Sequence, residues 1–240
     1  MAQLAYAEPP YSQDQQLTPS AKCGMQVKKL LARFLVWRVG LRWYLVALLL
    51  TPVALLAAMG IYVLQGGALG RFDAGQWYAV LLGPVFALPF FVGEELGWRG
   101  YALPKLQRKY SALWSSIILG VLWTFWHTPA FWAPSGTPIS GGPVTLLAVG
   151  RYVILMIGLT ILMTWLYNNT KESVLLAVLF HAVFTGPGLS PLFPDISSNA
   201  FNQIVKLVII PLWVMVVLVI ALFGAARLSR KPVSQEPGEV

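Results

Sequence analysis

The sequence predicts an all-α membrane protein, a polytopic bundle of about six transmembrane helices. Of its 240 residues, 57% are hydrophobic and only 11% are charged. A soluble domain of this length cannot bury so much apolar surface, because its interior is too small. Several apolar runs are also long enough to cross about 30 Å of hydrocarbon. Composition and run length together therefore favour a multi-pass protein of the cell membrane.

The apolar runs divide the chain into one membrane-embedded domain with a polar tail at each end. Residues 1–27 are polar and rich in Pro, Gln and Ser, which is typical of disordered chain. The domain covers 28–225 and opens with a basic, aromatic segment at 28–44, which predicts an interfacial helix. Residues 226–240 form a second polar tail. The predicted spans are 42–64, 77–103, 112–132, 145–167, 173–187 and 204–225.

The basic residues predict the orientation of these spans. If both termini are cytoplasmic, all of the 17 Lys and Arg residues face inward except Arg71, Arg151 and Lys206. Cytoplasmic loops of membrane proteins show this excess of positive charge. Membrane orientation therefore explains the net charge of +8, and we expect no nucleic-acid partner.

Three ionisable residues from three spans are predicted to lie in one layer near the middle of the membrane. With a rise of about 1.5 Å per residue, Glu94, His127 and His181 lie roughly 15–20 Å inside their span boundaries. Ionisable groups at this depth are costly and usually face the bundle interior in a functional role. His127 also precedes Pro129, which can end its helix and admit water.

Helical spacing assigns different roles to the two adjacent carboxylates. Glu95 and Arg99 are four residues apart, so they share a helix face and are predicted to form a structural or orienting ion pair. Glu94 is turned by about 100° and has no cation on its own face. A buried carboxylate without a cationic partner suits the role of a general base. Thr185 lies one turn beyond His181, where its hydroxyl can either bond back to the helix or face the site.

This set of residues allows two chemistries. Glu94, His127 and His181 could hold a Zn²⁺ ion that leaves one position open for water. Alternatively, Glu94 and His127 activate water directly, while His181 and Thr185 donate hydrogen bonds to the developing oxyanion. The zinc-peptidase motif with two His and a Glu on one helix is absent from the sequence. The mechanism without metal is therefore slightly favoured.

Three motifs in the sequence resemble those of a known family. A pair of Glu followed after three residues by Arg, here Glu94, Glu95 and Arg99, is similar to the first motif of the CAAX prenyl endopeptidase type II and bacteriocin-processing family. These intramembrane proteases are also described as lysostaphin-resistance-protein-A-like. Trp123 and His127 are similar to the second motif, an aromatic residue four before a His, where the family usually has Phe.

The third motif of the family, a His four residues before an Asn, is similar to His181 and Thr185, with Thr in the Asn position. The similarity covers about 77–186. It implies a membrane protease in which the first Glu and the first His activate water, while the second His and the Asn position stabilise the oxyanion. Family members are commonly described as metalloendopeptidases. The implied partners are the lipid bilayer and a peptide or protein substrate within it, in eukaryotes a prenylated protein with a CAAX box.

Two other functional classes fit some of the same residues. Glu and His at mid-membrane depth are also used in the proton relays of transporters and channels. A catalytically weakened immunity or scaffold protein could keep the fold, and Thr185 is the residue that supports this alternative. No sequence feature predicts an oligomeric state.

Overall fold

The regular structure is entirely helical in the residues described by the computed structural model, which are 19–134, 137–140 and 142–230, with side chains from Val27 onward. A π-helical segment, Leu96–Ala102, joins the third helix to the fourth. The helices are α1 Pro19–Phe34, α2 Leu41–Leu64, α3 Trp77–Glu95, α4 Leu103–Gln107, α5 Ala112–Trp126, α6 Leu146–Asn169, α7 Val174–Thr185, α8 Ser198–Leu207 and α9 Ile209–Phe223.

Five helical stretches of this structure are long and apolar enough to cross a membrane. They are α2, the continuous stretch Ala74–Gln107 around α3, α6, Val174–Leu192 around α7, and α8 together with α9. Helix α5 is apolar but shorter, with 15 residues, and a 3₁₀ turn at Thr128–Trp132 prolongs it. Each predicted span therefore corresponds to a helical stretch. The prediction of an all-α polytopic bundle is confirmed, whereas the cytoplasmic placement of the termini stays a prediction.

The two ends of the domain differ from the predicted boundaries. Helix α1 begins at Pro19, inside the predicted tail 1–27, of which residues 1–18 lie outside the described part. At the other end, Gly224 has a positive φ of 76° and ends α9. The chain then turns back, so that Leu228 is fully buried. The start of the predicted tail 226–240 therefore packs on the bundle, while 231–240 lie outside the described part.

Helix α6 is the central helix of the bundle. Half of its most apolar stretch is buried inside the protein, against only 6% for the stretch that contains α3. Helix α5 packs closely on it at Gly120, where an added Cβ would lie 2.8 Å from the Cα of Ile157. Small residues allow such close approach between membrane helices. The Ser116 hydroxyl also donates to the Thr164 hydroxyl across this contact, at 2.8 Å.

Candidate active site

The two adjacent carboxylates lie at the end of α3, where the helix geometry changes. Pro84 and Pro89 lie inside α3 and each removes a backbone N–H donor. Directly after Glu95, the residues Leu96–Ala102 adopt π-helical geometry. Such segments are rare, and they are frequent at functional sites. The regular α-helix predicted for 77–103 is therefore interrupted at the site.

Glu95 is the centre of a buried charged network. The predicted ion pair with Arg99 is present: Nη1 of Arg99 donates to Oε1 of Glu95 at 2.8 Å, and both side chains are fully buried. The same carboxylate oxygen lies 2.8 Å from Nδ1 of His181, which is 3% exposed. Glu95 therefore connects α3 to α7 and fixes the imidazole of His181.

The partner of His181 determines what its other ring nitrogen can do. An ionised carboxylate only accepts hydrogen bonds, so Nδ1 of His181 carries the hydrogen in its contact with Glu95. In the neutral imidazole, Nε2 is then an acceptor. In the protonated imidazole, Nε2 becomes a second donor. His181 can therefore donate to an oxyanion only in its protonated form.

Trp123 of α5 joins this network to the rest of the site. Its ring is 2% exposed and lies 4.3 Å from the Cζ atom of Arg99, a cation–π distance. It also packs edge-on against the imidazole of His181, with a centroid distance of 5.0 Å. The Nε and Nη2 atoms of Arg99 have no hydrogen-bond partner in the described part of the chain. The Trp123 ring is therefore a principal contact of the guanidinium.

Glu94 and His127 also contact Trp123. The indole Nε1 donates to Oε2 of Glu94 at 3.3 Å. Nδ1 of His127 lies 2.8 Å from the backbone carbonyl of Trp123 and therefore carries a hydrogen, because a carbonyl only accepts. This leaves Nε2 of His127 free to bind water. Glu94 and His127 are both partly exposed.

The structure thus brings five of the predicted site residues together around Trp123. Glu95, Arg99 and His181 are buried, whereas Glu94 and His127 are partly exposed. Trp123 contacts residues of both groups, a role that the sequence analysis missed. The sequence does contain one indication of this role, because the indole N–H of a Trp residue within a membrane needs a hydrogen-bond acceptor.

Aromatic side chains enclose both imidazoles. Phe91 of α3 stacks on His181 with a centroid distance of 4.0 Å and an interplanar angle of 25°. Tyr152 of α6 packs edge-on against His127 at 6.1 Å. These contacts hold the rings and limit the water that reaches them. Neither contact was predicted, because each joins residues from different helices.

Thr185 is the last residue of α7 and lies one helical turn beyond His181, as predicted. It is exposed, and its hydroxyl makes no hydrogen bond to any residue in the described part of the chain. The hydroxyl is thus available to a bound molecule, but no contact within the described part of the chain assigns it a role.

The predicted zinc ligands Glu94, His127 and His181 do not have the arrangement that a metal requires. In the described residues, no group of three His, Cys, Asp or Glu side chains is placed to hold a metal ion. The three side chains therefore do not converge as a ligand set. The residues present do not fit a three-ligand zinc site.

Part of the chain is similar to known proteins. Residues 74–186 match the family described as type II CAAX prenyl endopeptidase, Rce1-like. The chain is also 29% identical over 140 residues to CAAX prenyl protease 2 of Methanococcus maripaludis, an alignment that covers 57% of this chain and 52% of the relative. The chain thus spans about half the length of the curated relative that it matches.

The fold and the site define a multi-pass, all-α membrane protein with an ionisable site enclosed between its helices. Its segment 74–186 is similar to the type II CAAX prenyl endopeptidase family. The matched segment contains all six predicted site residues, Glu94, Glu95, Arg99, His127, His181 and Thr185.

Proposed function

We propose that this protein is an intramembrane endopeptidase of the cell membrane that cleaves membrane-associated or lipidated proteins. The observation that supports it best is that Trp123 contacts both a partly exposed carboxylate, Glu94, and an imidazole with a free Nε2, His127. A base and a water-binding imidazole on neighbouring helices are what hydrolysis requires. The similarity of residues 74–186 to a family of prenyl endopeptidases supports the same reaction class.

In the proposed reaction, His127 and Glu94 hold one water molecule. Glu94 takes a proton from this water while the water oxygen forms a bond to the carbonyl carbon of the substrate. The carbonyl electrons move onto its oxygen, and the resulting oxyanion receives hydrogen bonds from protonated His181 and from Thr185. The C–N bond then breaks, and the leaving amine takes the proton from Glu94.

Glu95 and Arg99 act on the reaction through His181. The carboxylate of Glu95 orients the imidazole and stabilises its positive charge, and Arg99 holds the carboxylate in place. These two residues are therefore positioning residues, in agreement with the orienting role that their spacing predicts.

The direct test is hydrolysis by purified protein in detergent. The substrate is a farnesylated peptide with a C-terminal CAAX sequence, and the control substrate is the same peptide without the prenyl group. Cleavage of both peptides would support a protease with broad choice among membrane-associated substrates. Transport of protons in proteoliposomes without cleavage of any peptide would favour the transporter alternative.

Hydrolysis is expected to survive removal of metal ions, because the site lacks a three-ligand set. Activity is measured before and after dialysis against a chelator, and a known zinc peptidase treated in parallel serves as the control. Activity that disappears on chelation and returns with Zn²⁺ would show that Glu94, His127 and His181 rearrange to bind metal.

Thr185→Val should lower the turnover number by about 100-fold to 1000-fold, the usual cost of losing one oxyanion donor. Valine keeps the shape and the β-branching of threonine but has no hydroxyl. Substrate affinity should change little, since the hydrogen bond forms mainly in the transition state. The measurement is the turnover number and the Michaelis constant of each variant.

The matched variant is Thr185→Asn, which restores the amide of the family motif and should equal or exceed the wild type. Full activity of Thr185→Val would mean that Thr185 is a packing residue. A wild type without activity, rescued by Thr185→Asn, would instead identify a weakened member of the family with a scaffold or immunity role.

A further inference from the structure

Arg151 and Lys206 are cations whose positions are not explained by the charge bias of the chain. Together with Arg71 they are the residues predicted to lie at the end of the bundle opposite to the other Lys and Arg residues. Arg71 has a surface partner, because its Nε atom lies 3.4 Å from Oδ2 of Asp195. Arg151 and Lys206 form no ion pair with any residue that the structure describes.

No carboxylate in the described part of the chain is left to pair with these two cations. Each of the described carboxylates has another hydrogen-bond or ion-pair partner. Asp73 accepts from the Gly75 amide, Glu94 from Trp123, Glu95 from Arg99 and His181, Glu172 pairs with Arg33, and Asp195 pairs with Arg71.

Both cations line the same cavity. It has a volume of about 680 Å³ and lies between the end of α2, the beginning of α6 and the end of α8. Its other polar walls are the side chains of Tyr62, Gln65 and Gln203, and no acidic side chain lines it. The cavity therefore combines two positive charges with neutral hydrogen-bonding groups, which suits an anion.

Two glycines shape the wall beside Tyr62. Gly66 has a φ of 87°, a conformation that glycine adopts at little cost. A Cβ atom at Gly67 would overlap the ring of Tyr62. The chain can thus turn over this ring only because both residues lack a side chain. The turn leaves the Tyr62 side chain in the cavity wall.

The two cations lie at the same height in the bundle. Arg151 is roughly 27 Å along α6 from Asn169, and Lys206 is roughly 26 Å along α8 and α9 from Phe223, at a rise of about 1.5 Å per residue. Asn169 is at the opposite end of the bundle, where its side chain donates to the Leu228 carbonyl. Since the hydrocarbon layer is about 30 Å thick, both cations reach the level of the lipid headgroups.

We propose that this cavity binds the phosphate group of an anionic membrane lipid. Arg151 and Lys206 donate to the phosphate oxygens, and Tyr62, Gln65 and Gln203 face the polar part of the headgroup. The cavity offers no carboxylate to a choline or ethanolamine ammonium group, so it should prefer an anionic lipid to a zwitterionic one. Lipid phosphates lie at this height in the bilayer, and the site is remote from Glu94 on the chain and uses none of the residues of the proposed reaction.

Thermal unfolding of the full-length protein in a neutral detergent tests this site. The probes are short-chain phosphatidylglycerol, short-chain phosphatidylcholine and inorganic phosphate. Phosphatidylglycerol should raise the melting temperature in a saturable way, because a ligand of the native state stabilises it. Arg151→Gln and Lys206→Gln should each raise the half-saturating concentration by about 10-fold to 100-fold, the usual effect of losing one charge-assisted hydrogen bond.

Arg71→Gln is the matched control, since it removes a cation from the same end of the bundle but outside the cavity. Its response to phosphatidylglycerol should equal that of the wild type, and so should that of Glu94→Gln, which separates this site from the proposed protease. Each variant is compared with its own lipid-free melting temperature. Equal shifts with phosphatidylcholine, equal shifts with inorganic phosphate, or an undiminished response of both cavity variants would each overturn the proposal.

Discussion

Glu94→Gln should lower the rate of peptide hydrolysis by about 10²-fold to 10⁴-fold, the usual contribution of a general base. A carboxamide cannot take a proton from water, whereas its oxygen can still accept the hydrogen bond from Trp123 that Glu94 accepts at 3.3 Å. Glu94 is partly exposed and has no ion-pair partner in the described part of the chain, so the fold does not depend on its charge. The melting temperature should therefore stay close to that of the wild type.

Glu95→Gln is the matched control, because it makes the same chemical change at the adjacent residue. Glu95 is fully buried and accepts from both Arg99 and His181, so its neutralisation leaves a buried guanidinium without an anionic partner. This variant should have a lower melting temperature than Glu94→Gln. If Glu94→Gln unfolds while Glu95→Gln folds normally and is inactive, the roles assigned to the two carboxylates are reversed.

The contacts that the sequence predicts are those set by composition and by local helix geometry. The excess of apolar residues requires a membrane protein, and the four-residue spacing of Glu95 and Arg99 brings their side chains together within one stretch. The same spacing places Thr185 beyond His181 at the end of α7. Such features need no knowledge of how the helices pack.

The contacts that the sequence does not predict join different helices. His181 lies 86 residues from Glu95, and Trp123 lies 29 residues from Glu94, so only the tertiary arrangement of the helices brings each pair together. The π-helical segment Leu96–Ala102 is equally hidden, since α-helical periodicity assumes one geometry throughout. Depth in the membrane predicts that ionisable groups share a layer, but it does not predict which of them touch.

Arg99→Met should destabilise the protein by about 3–5 kcal/mol, the usual cost of breaking a buried ion pair by removing one partner. Arg99 and Glu95 are both fully buried, and their Nη1 and Oε1 atoms are 2.8 Å apart. Methionine keeps most of the side-chain volume, so the loss comes mainly from the charge left on Glu95. The measurement is the free energy of unfolding in detergent with a chemical denaturant. Arg71→Met, which breaks an exposed pair with Asp195, should cost no more than about 1 kcal/mol.

The double variant Glu95→Gln/Arg99→Met separates the charge from the packing. It removes both buried charges, while the glutamine oxygen can still accept the hydrogen bond from Nδ1 of His181. Most of the lost stability should therefore return, because neither partner is left as an unpaired charge. Hydrolysis should stay low, since a neutral amide no longer stabilises the protonated His181 that donates to the oxyanion. Recovery of stability together with full activity would mean that the charge of Glu95 serves the fold alone, and that His181 acts without it.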